Sequence, residues 1–183
     1  MGGATQMIVL TSTGLFAVGT QGYVLDYLLT TSGNFQKITV NNKVDGLPAN
    51  VTPQDVRMLF VSSGVVMITT CSGEVYVLSW RSDYRGQGSQ GNSTTWSKVM
   101  QDAITPLTNV IVARGSTSFA FALKGDGTLW TWGGNTVLGD GSAITPRNYA
   151  TKMILPAGMP AVKMIQGTPG PSYYILGSNK MLY

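Results

Sequence analysis

A tight glycine turn between two short apolar runs recurs along this 183-residue chain, and it constrains the fold more than any other feature. Its fullest form is Ala122-Leu123-Lys124-Gly125-Asp126-Gly127-Thr128-Leu129-Trp130-Thr131-Trp132-Gly133-Gly134-Asn135. Shorter versions are Thr70-Cys71-Ser72-Gly73-Glu74-Val75-Tyr76-Val77-Leu78 and Leu10-Thr11-Ser12-Thr13-Gly14-Leu15-Phe16-Ala17-Val18-Gly19. A fourth starts at Ile175 and runs to Tyr183. The turn residues Gly14, Gly73, Gly127 and Asn179 are 59, 54 and 52 residues apart. Strand starts at Val56, Val110 and Val162 keep nearly the same period, each preceded by a proline (Pro53, Pro106, Pro160). Proline donates nothing to a sheet ladder and suits that position. Lys37, Lys98 and Lys152 form a third set in the same order. A period near 50 residues means supersecondary units that are stacked or arranged radially.

Each unit reads as four short strands. In the third, the β-branched run Val110 to Ala113 suits a buried strand. Ser118 to Leu123 and Thr128 to Trp132 flank an Asp-Gly turn, a strong hairpin signal because such a turn needs positive φ. A last strand is predicted near Ala150 to Leu155. The stretches Asp83 to Thr95 and Gly133 to Arg147 are polar, glycine-rich and too long for minimal hairpins, which makes them surface loops. Helical periodicity is confined to residues 21–31 and is weak.

These units resemble regulator-of-chromosome-condensation (RCC1-like) repeats. The third carries the resemblance: Gly115 before the second strand, the Asp126-Gly127 turn, Trp130, Trp132, Gly133 and Asn135, then Leu138-Gly139-Asp140-Gly141. The second unit keeps the Ser72-Gly73 turn, Tyr76 and Trp80; the first keeps Gly14, Phe16 and Gly19. The resemblance implies an all-β chain of β-propeller blades, each of four antiparallel strands. It gives about three and a half repeats of a larger, seven-bladed propeller. The chain is expected to be one propeller region, 1–183, with repeats 4–55, 56–109, 110–161 and a partial 162–183. Such an arc stops mid-blade, so further blades of the same or another chain are expected to complete it. The family often places a histidine at the start of the second strand. Ser118 and Phe119 stand there, and the chain contains no histidine. The wording of the third repeat is closer to divergent bacterial surface-protein repeats.

Composition bears on function more than on fold. Charged residues are 11%, against about 25% in ordinary soluble domains. Such a surface fits a secreted or cell-surface β protein. The net charge of +4 comes from scattered basic residues, with no dense run of the kind nucleic acid requires. No apolar run approaches the ~20 residues of a membrane-spanning helix. The single cysteine, Cys71, is expected to be buried, unpaired and inert, with no histidine to activate it. Nine methionines read as core filling. Asn50-Val51-Thr52 and Asn92-Ser93-Thr94 are sequons, meaningful only in a eukaryotic secretory pathway.

Catalytic and metal chemistry find little support. Without histidine there is no Ser-His or Cys-His pair and no usual zinc site. Of eight acidic residues, Asp126 and Glu74 are explained by turns, and Asp140 is as well explained by a turn as by a ligand. Gly86-Gln87-Gly88-Ser89-Gln90-Gly91 lacks the helix that phosphate binding needs and reads as a flexible loop. The expectation is a non-enzyme with no catalytic residues, metal or cofactor, binding a protein or a glycan through its loops. Tyr, Trp and Arg carry interface energy, which selects Trp80, Arg81, Tyr84, Arg85, Trp96, Arg147 and Tyr149. Blade packing accounts equally well for Trp80 and Trp96. The alternatives are an intracellular regulator of the guanine-nucleotide exchange factor type, implied by the resemblance alone, and a propeller glycosidase or lyase.

Overall fold

The computed structural model describes residues 2–3, 6–19, 32–62, 65–79, 84–88, 94–115, 119–134, 146–167 and 173–183. These contain fourteen strands and no α-helix. The first sheet runs β1 (Gly2–Gly3), β2 (Gln6–Thr11), β3 (Gly14–Gly19), β4 (Ser32–Lys37). The second runs β5 (Val56–Ser62), β6 (Val65–Thr70), β7 (Val75–Leu78), β8 (Ser97–Lys98). The third is β9 (Val110–Gly115), β10 (Phe119–Lys124), β11 (Leu129–Gly133), β12 (Arg147–Lys152). A fourth pairs β13 (Val162–Gly167) with β14 (Tyr173–Gly177), extended by a bridge from Leu176 to Leu182. All pairings are antiparallel, so the sheets are consecutive blades.

The first strands β1, β5, β9 and β13 touch one another in sequence and therefore form the inner edge of the arc. The glycine turns gather at one end. Gly73 and Gly127 have φ of 81° and 79°, the left-handed region that a side chain resists. Their carbonyls accept from the N–H groups of Val110 and Val162, the first residues of the next blade, at 3.0 and 3.4 Å. Each turn is also tied to its own blade. The N–H groups of Cys71, Gly125 and Ser178 donate to the carbonyls of Asp55, Asn109 and Ala161, each just before the first strand. The glycine turns of the second and third sheets share both joints.

Three apolar cores lie between successive sheets. Ile8, Leu15 and Ala17 meet Val61, Val66, Ile68 and Leu78. Val65, Met67, Val75 and Val77 meet Ala113, Ala120, Ala122 and Trp132. Phe119, Phe121, Leu123 and Leu129 meet Val162, Ile165 and Ile175, with Tyr173 seated 5.5 and 5.2 Å from the two phenylalanine rings. Strand alternation explains the division: even positions of β10 face the second sheet and odd positions the fourth.

Several expectations shift. The last strand of the third sheet is Arg147–Lys152 rather than Ala150 to Leu155. Its pairing with β11 shifts register between Thr131 and Gly133, so that Arg147 lies opposite Gly133 and Thr151 opposite Thr131. The left-handed residue of the fourth turn is Lys180, with φ of 66°, one place beyond Asn179. Cys71 is exposed, not buried. It is the first residue of the turn after β6, where the strand's alternation has ended, and its thiol reaches toward the carbonyl of Gln54 at 3.9 Å. Residues 21–31 lie outside the described residues.

Candidate functional site

The other end of the sheets carries the long connections. Strands β3, β7 and β11 all run from the glycine turns toward this end, and β4, β8 and β12 return from it. The joins 19 to 32, 78 to 97 and 133 to 147 therefore leave from one side of the arc.

Part of the second of these joins is built into the scaffold. Residues 84–88 cross from the second sheet to the outer edge of the third. Gln87 bridges to Tyr149, the Gly88 N–H donates to the Asn148 carbonyl at 2.8 Å, and the Met100 N–H donates to Gly86 at 2.7 Å. The buried Trp132 indole donates to the Tyr84 carbonyl at 2.8 Å. Gly86 lies against the Trp132 ring and Gly88 against the Tyr149 ring; a side chain at Gly88 would collide with Tyr149. The expectation of a flexible glycine loop is thus corrected for Gly86 to Gly88, whose backbone is hydrogen-bonded. Residues 89–91 lie outside the described residues.

This crossing determines the placement of the expected contact residues. Tyr84 is buried, and so is Arg85, whose Nε donates to the Ser97 hydroxyl at 2.8 Å. Burial pulls the Arg85 guanidinium below its ordinary pKa. These two side chains belong to the packing between blades and present no contact surface. Tyr149 and Arg147 are half-buried on β12 beside the crossing. Trp80 and Arg81 lie outside the described residues.

Trp96 stands apart in a cleft of about 150 Å³ with Val40, Asn41, Lys43, Leu47 and Ala49. Its indole donates to the Gly46 carbonyl at 2.8 Å, which locks the ring. The cleft's edge is a two-residue turn: Asn41 and Asn42 have φ of 51° and 62°, closing Val40 onto Lys43. The Lys43 ammonium donates to the carbonyls of Pro48 and Val51 at 2.8 and 2.6 Å and pairs with Asp45 at 3.3 Å. The Asn-Asn pair was the available sequence signal for this hairpin, since successive left-handed residues favour asparagine.

The described carboxylates are occupied. Asp55 accepts from the Thr52 hydroxyl and N–H, Asp126 from those of Thr128, and Asp102 from the N–H groups of Ile104 and Thr105. These bonds hold all three below the ordinary carboxylate range. Glu74 takes the Lys98 ammonium at 2.7 Å and the Tyr76 hydroxyl at 3.1 Å, and the Lys98 bond lowers it in the same way. Among the described residues no three His, Cys, Asp or Glu side chains converge. No described helix is long and apolar enough to cross a membrane.

Solved structures share this architecture. Human WBSCR16, an RCC1-like protein, matches over 98% of this chain with a TM-score of 0.70 at 19% identity. Yeast RCC1 (Prp20), solved bound to Kap60, matches over 98% with a TM-score of 0.63 at 13% identity. Prp20p of Saccharomyces cerevisiae, described with its binding to Gsp1p and histones, matches over 90% with a TM-score of 0.61 at 15% identity. The chain therefore has the RCC1-like β-propeller fold. It spans less than half of each of these chains: 44%, 39% and 40%. No protein-family model matches the sequence, and no curated protein does.

Proposed function

We propose that the chain is a non-catalytic protein-binding module of a secreted or cell-surface protein that works at the loop-bearing end of the arc. One observation carries this reading: three long joins leave one end of sheets whose other end is fastened to the neighbouring blade at Gly73 and Gly127. A rigid scaffold with variable loops on one side is the usual arrangement for recognition. Arg147 and Tyr149 are the described side chains best placed to join the loops in contact. The occupied carboxylates also fit a role without acid–base chemistry. A protein partner agrees with the fold neighbours described with Gsp1p, histones and Kap60. That support is analogy of fold, because sites rather than folds set function. The low charge of the sequence supports the extracellular setting.

A second reading is favoured by the cleft at Trp96, where an oriented indole beside the Asn41 amide suits a small glycan unit. The test is a binding screen on arrays of extracellular protein domains and of glycans. It compares the wild type with the double variant Arg147→Ala, Tyr149→Ala and with Trp96→Ala. Binding to a protein domain that only the double variant loses, with its melting temperature kept, is the expected result. Binding confined to glycans and lost with Trp96→Ala would replace it with the second reading.

A further inference from the structure

Charge is divided between the two ends of the sheets. The described carboxylates, Asp45, Asp55, Glu74, Asp102 and Asp126, all lie at the end of the glycine turns, and each accepts hydrogen bonds from the chain itself. Among the described residues the loop-bearing end has no carboxylate; Asp26, Asp83 and Asp140 lie outside them. The described guanidinium groups there are those of Arg85 in the buried crossing, Arg147 on the outer strand β12 and Arg114 on the inner strand β9.

Arg114 lies in the middle of the arc, between β5 and β13. Strand β9 begins at the glycine turns, where Val110 is bonded to Gly73, and ends at the loop-bearing end with Arg114 and Gly115. Arg114 stands opposite Phe121, as Phe60 stands opposite Met67 and Gln166 opposite Tyr174. These are one register position on three successive inner strands, and only Arg114 is charged.

Its guanidinium is half-buried and sits 5.5 Å from the centre of the Phe60 ring. Nη1 donates to the Met58 sulfur and, at 3.3 Å, to the Ala113 carbonyl. Nε is buried and has no acceptor. Arginine takes a carboxylate through a pair of N–H groups set in a rigid fork. The bonds formed here all fall on Nη1, which leaves the edge of Nε and Nη2. Burial also draws the group below its ordinary pKa. A charge removed from water without an opposite charge is costly, and an anion at the free edge offsets that cost.

We infer that Arg114 receives the carboxylate of an aspartate or glutamate side chain of the protein partner at the loop-bearing end. This rests on the protein-binding reading, whose partner it describes chemically. A phosphate group also fits such a fork, but it brings more oxygens and more charge than one guanidinium edge can satisfy. Met58 and Phe60 offer no donor, and the amide of Gln166 is committed to the Gly167 carbonyl at 3.2 Å. A planar, singly charged carboxylate is what the edge can hold.

The test follows the Nε–H signal of Arg114 by nuclear magnetic resonance in the isotope-labelled 183-residue chain. Arg114→Lys, which keeps the charge and removes the fork, identifies that signal. Sodium acetate is the probe, beside sodium phosphate and sodium chloride at matched ionic strength. The Arg114 signal is expected to shift with acetate until it saturates. That of Arg57, exposed at the glycine-turn end, is expected to move no more than in chloride. Equal shifts of Arg114 in acetate and chloride would overturn the inference, and so would an acetate response at Arg57 as large as at Arg114. A response to phosphate alone would replace the carboxylate with a phosphate group. The array screen separates this inference from the reading beneath it. A protein domain captured at the loop end while Arg114 ignores acetate removes the carboxylate and keeps the binding role. Acetate held at Arg114 with no domain captured keeps the carboxylate site and removes that role.

Discussion

The backbone N–H of Val110 donates to the carbonyl of Gly73 at 3.0 Å, so the hairpin turn of one blade holds the first strand of the next. The turn must be left-handed, and the space beside it is full. A β-carbon at Gly73 would lie 3.0 Å from the backbone of Asn109 and Val110. Gly158 has nearly the same φ, 80°, with nothing within 4 Å. The two positions separate backbone strain from crowding. Gly158→Ala is expected to cost about 1–2 kcal/mol, the ordinary penalty of the left-handed region. Gly73→Ala is expected to cost about 1–3 kcal/mol more, because the Val110 bond must lengthen or break with its groups still covered. Urea denaturation of both variants measures the difference, and equal losses would refute the joint.

Trp132 and Trp130 lie on the same face of β11 but carry different loads. Trp132 is fully buried and donates to Tyr84; Trp130 is half-buried, donates to Thr128 at 3.1 Å and lies under the Lys124 ammonium at 5.2 Å. Trp132→Ala is expected to cost about 3–5 kcal/mol. Trp132→Phe keeps most of the volume but removes the indole donor to the Tyr84 carbonyl, at about 1–3 kcal/mol. Trp130→Ala is expected to cost less than Trp132→Ala. Thermal melts of the three would reverse the assignment of the load if Trp130→Ala were the worst.

What was legible beforehand follows from how far each partner lies along the chain. Gly127 and its neighbours announce their turn because the need for positive φ is written within four residues. Alternation along β10 and β11 is equally local, which is why the sheets could be read. Trp132 and Tyr84 are 48 residues apart, and Trp96 and Gly46 are 50 apart. Nothing near Tyr84 or Arg85 in sequence indicates that the crossing lays them inside a joint. Their residue types suited an exposed contact, and only the fold shows that they are buried. The cleft at Trp96 was hidden for the same reason, since Val40, Asn41 and Leu47 come from the preceding repeat.

Stability is expected to fall in acid and to be flat near neutrality. Asp55, Asp102, Asp126 and Glu74 have folded pKa values below their ordinary range because N–H, hydroxyl and ammonium donors hold the charged form. A lowered folded value stabilises in full above the ordinary range and loses that contribution as pH falls through the folded value. Lys98 is raised by Glu74, so its contribution is complete below the ordinary lysine value and is lost as pH rises beyond it. With no histidine in the chain, the interval from about pH 5 to 8 contains no ordinary side-chain titration of that kind. Urea midpoints should therefore plateau there and drop below about pH 4. Glu74→Gln should shrink both the acid drop and the alkaline loss. Midpoints that rise on acidification below that range would contradict the bonding described.

Cys71 tests the strand ends. The thiol is exposed at the first position of the turn after β6, while Thr70, one residue earlier, is buried. A β6 longer by one residue would bury the thiol, because both faces of that strand are covered from Val65 to Thr70. Native protein is therefore expected to react with a thiol reagent at a rate close to that of the urea-unfolded chain. The reaction should leave the melting temperature nearly unchanged, since the label projects into water. The Cys71 backbone N–H, by contrast, is committed to the Asp55 carbonyl at 2.7 Å. Hydrogen exchange at that amide should be slow where the thiol is fast. A thiol that reacts only on unfolding, or an amide that exchanges as freely as the thiol reacts, would mean that β6 ends elsewhere.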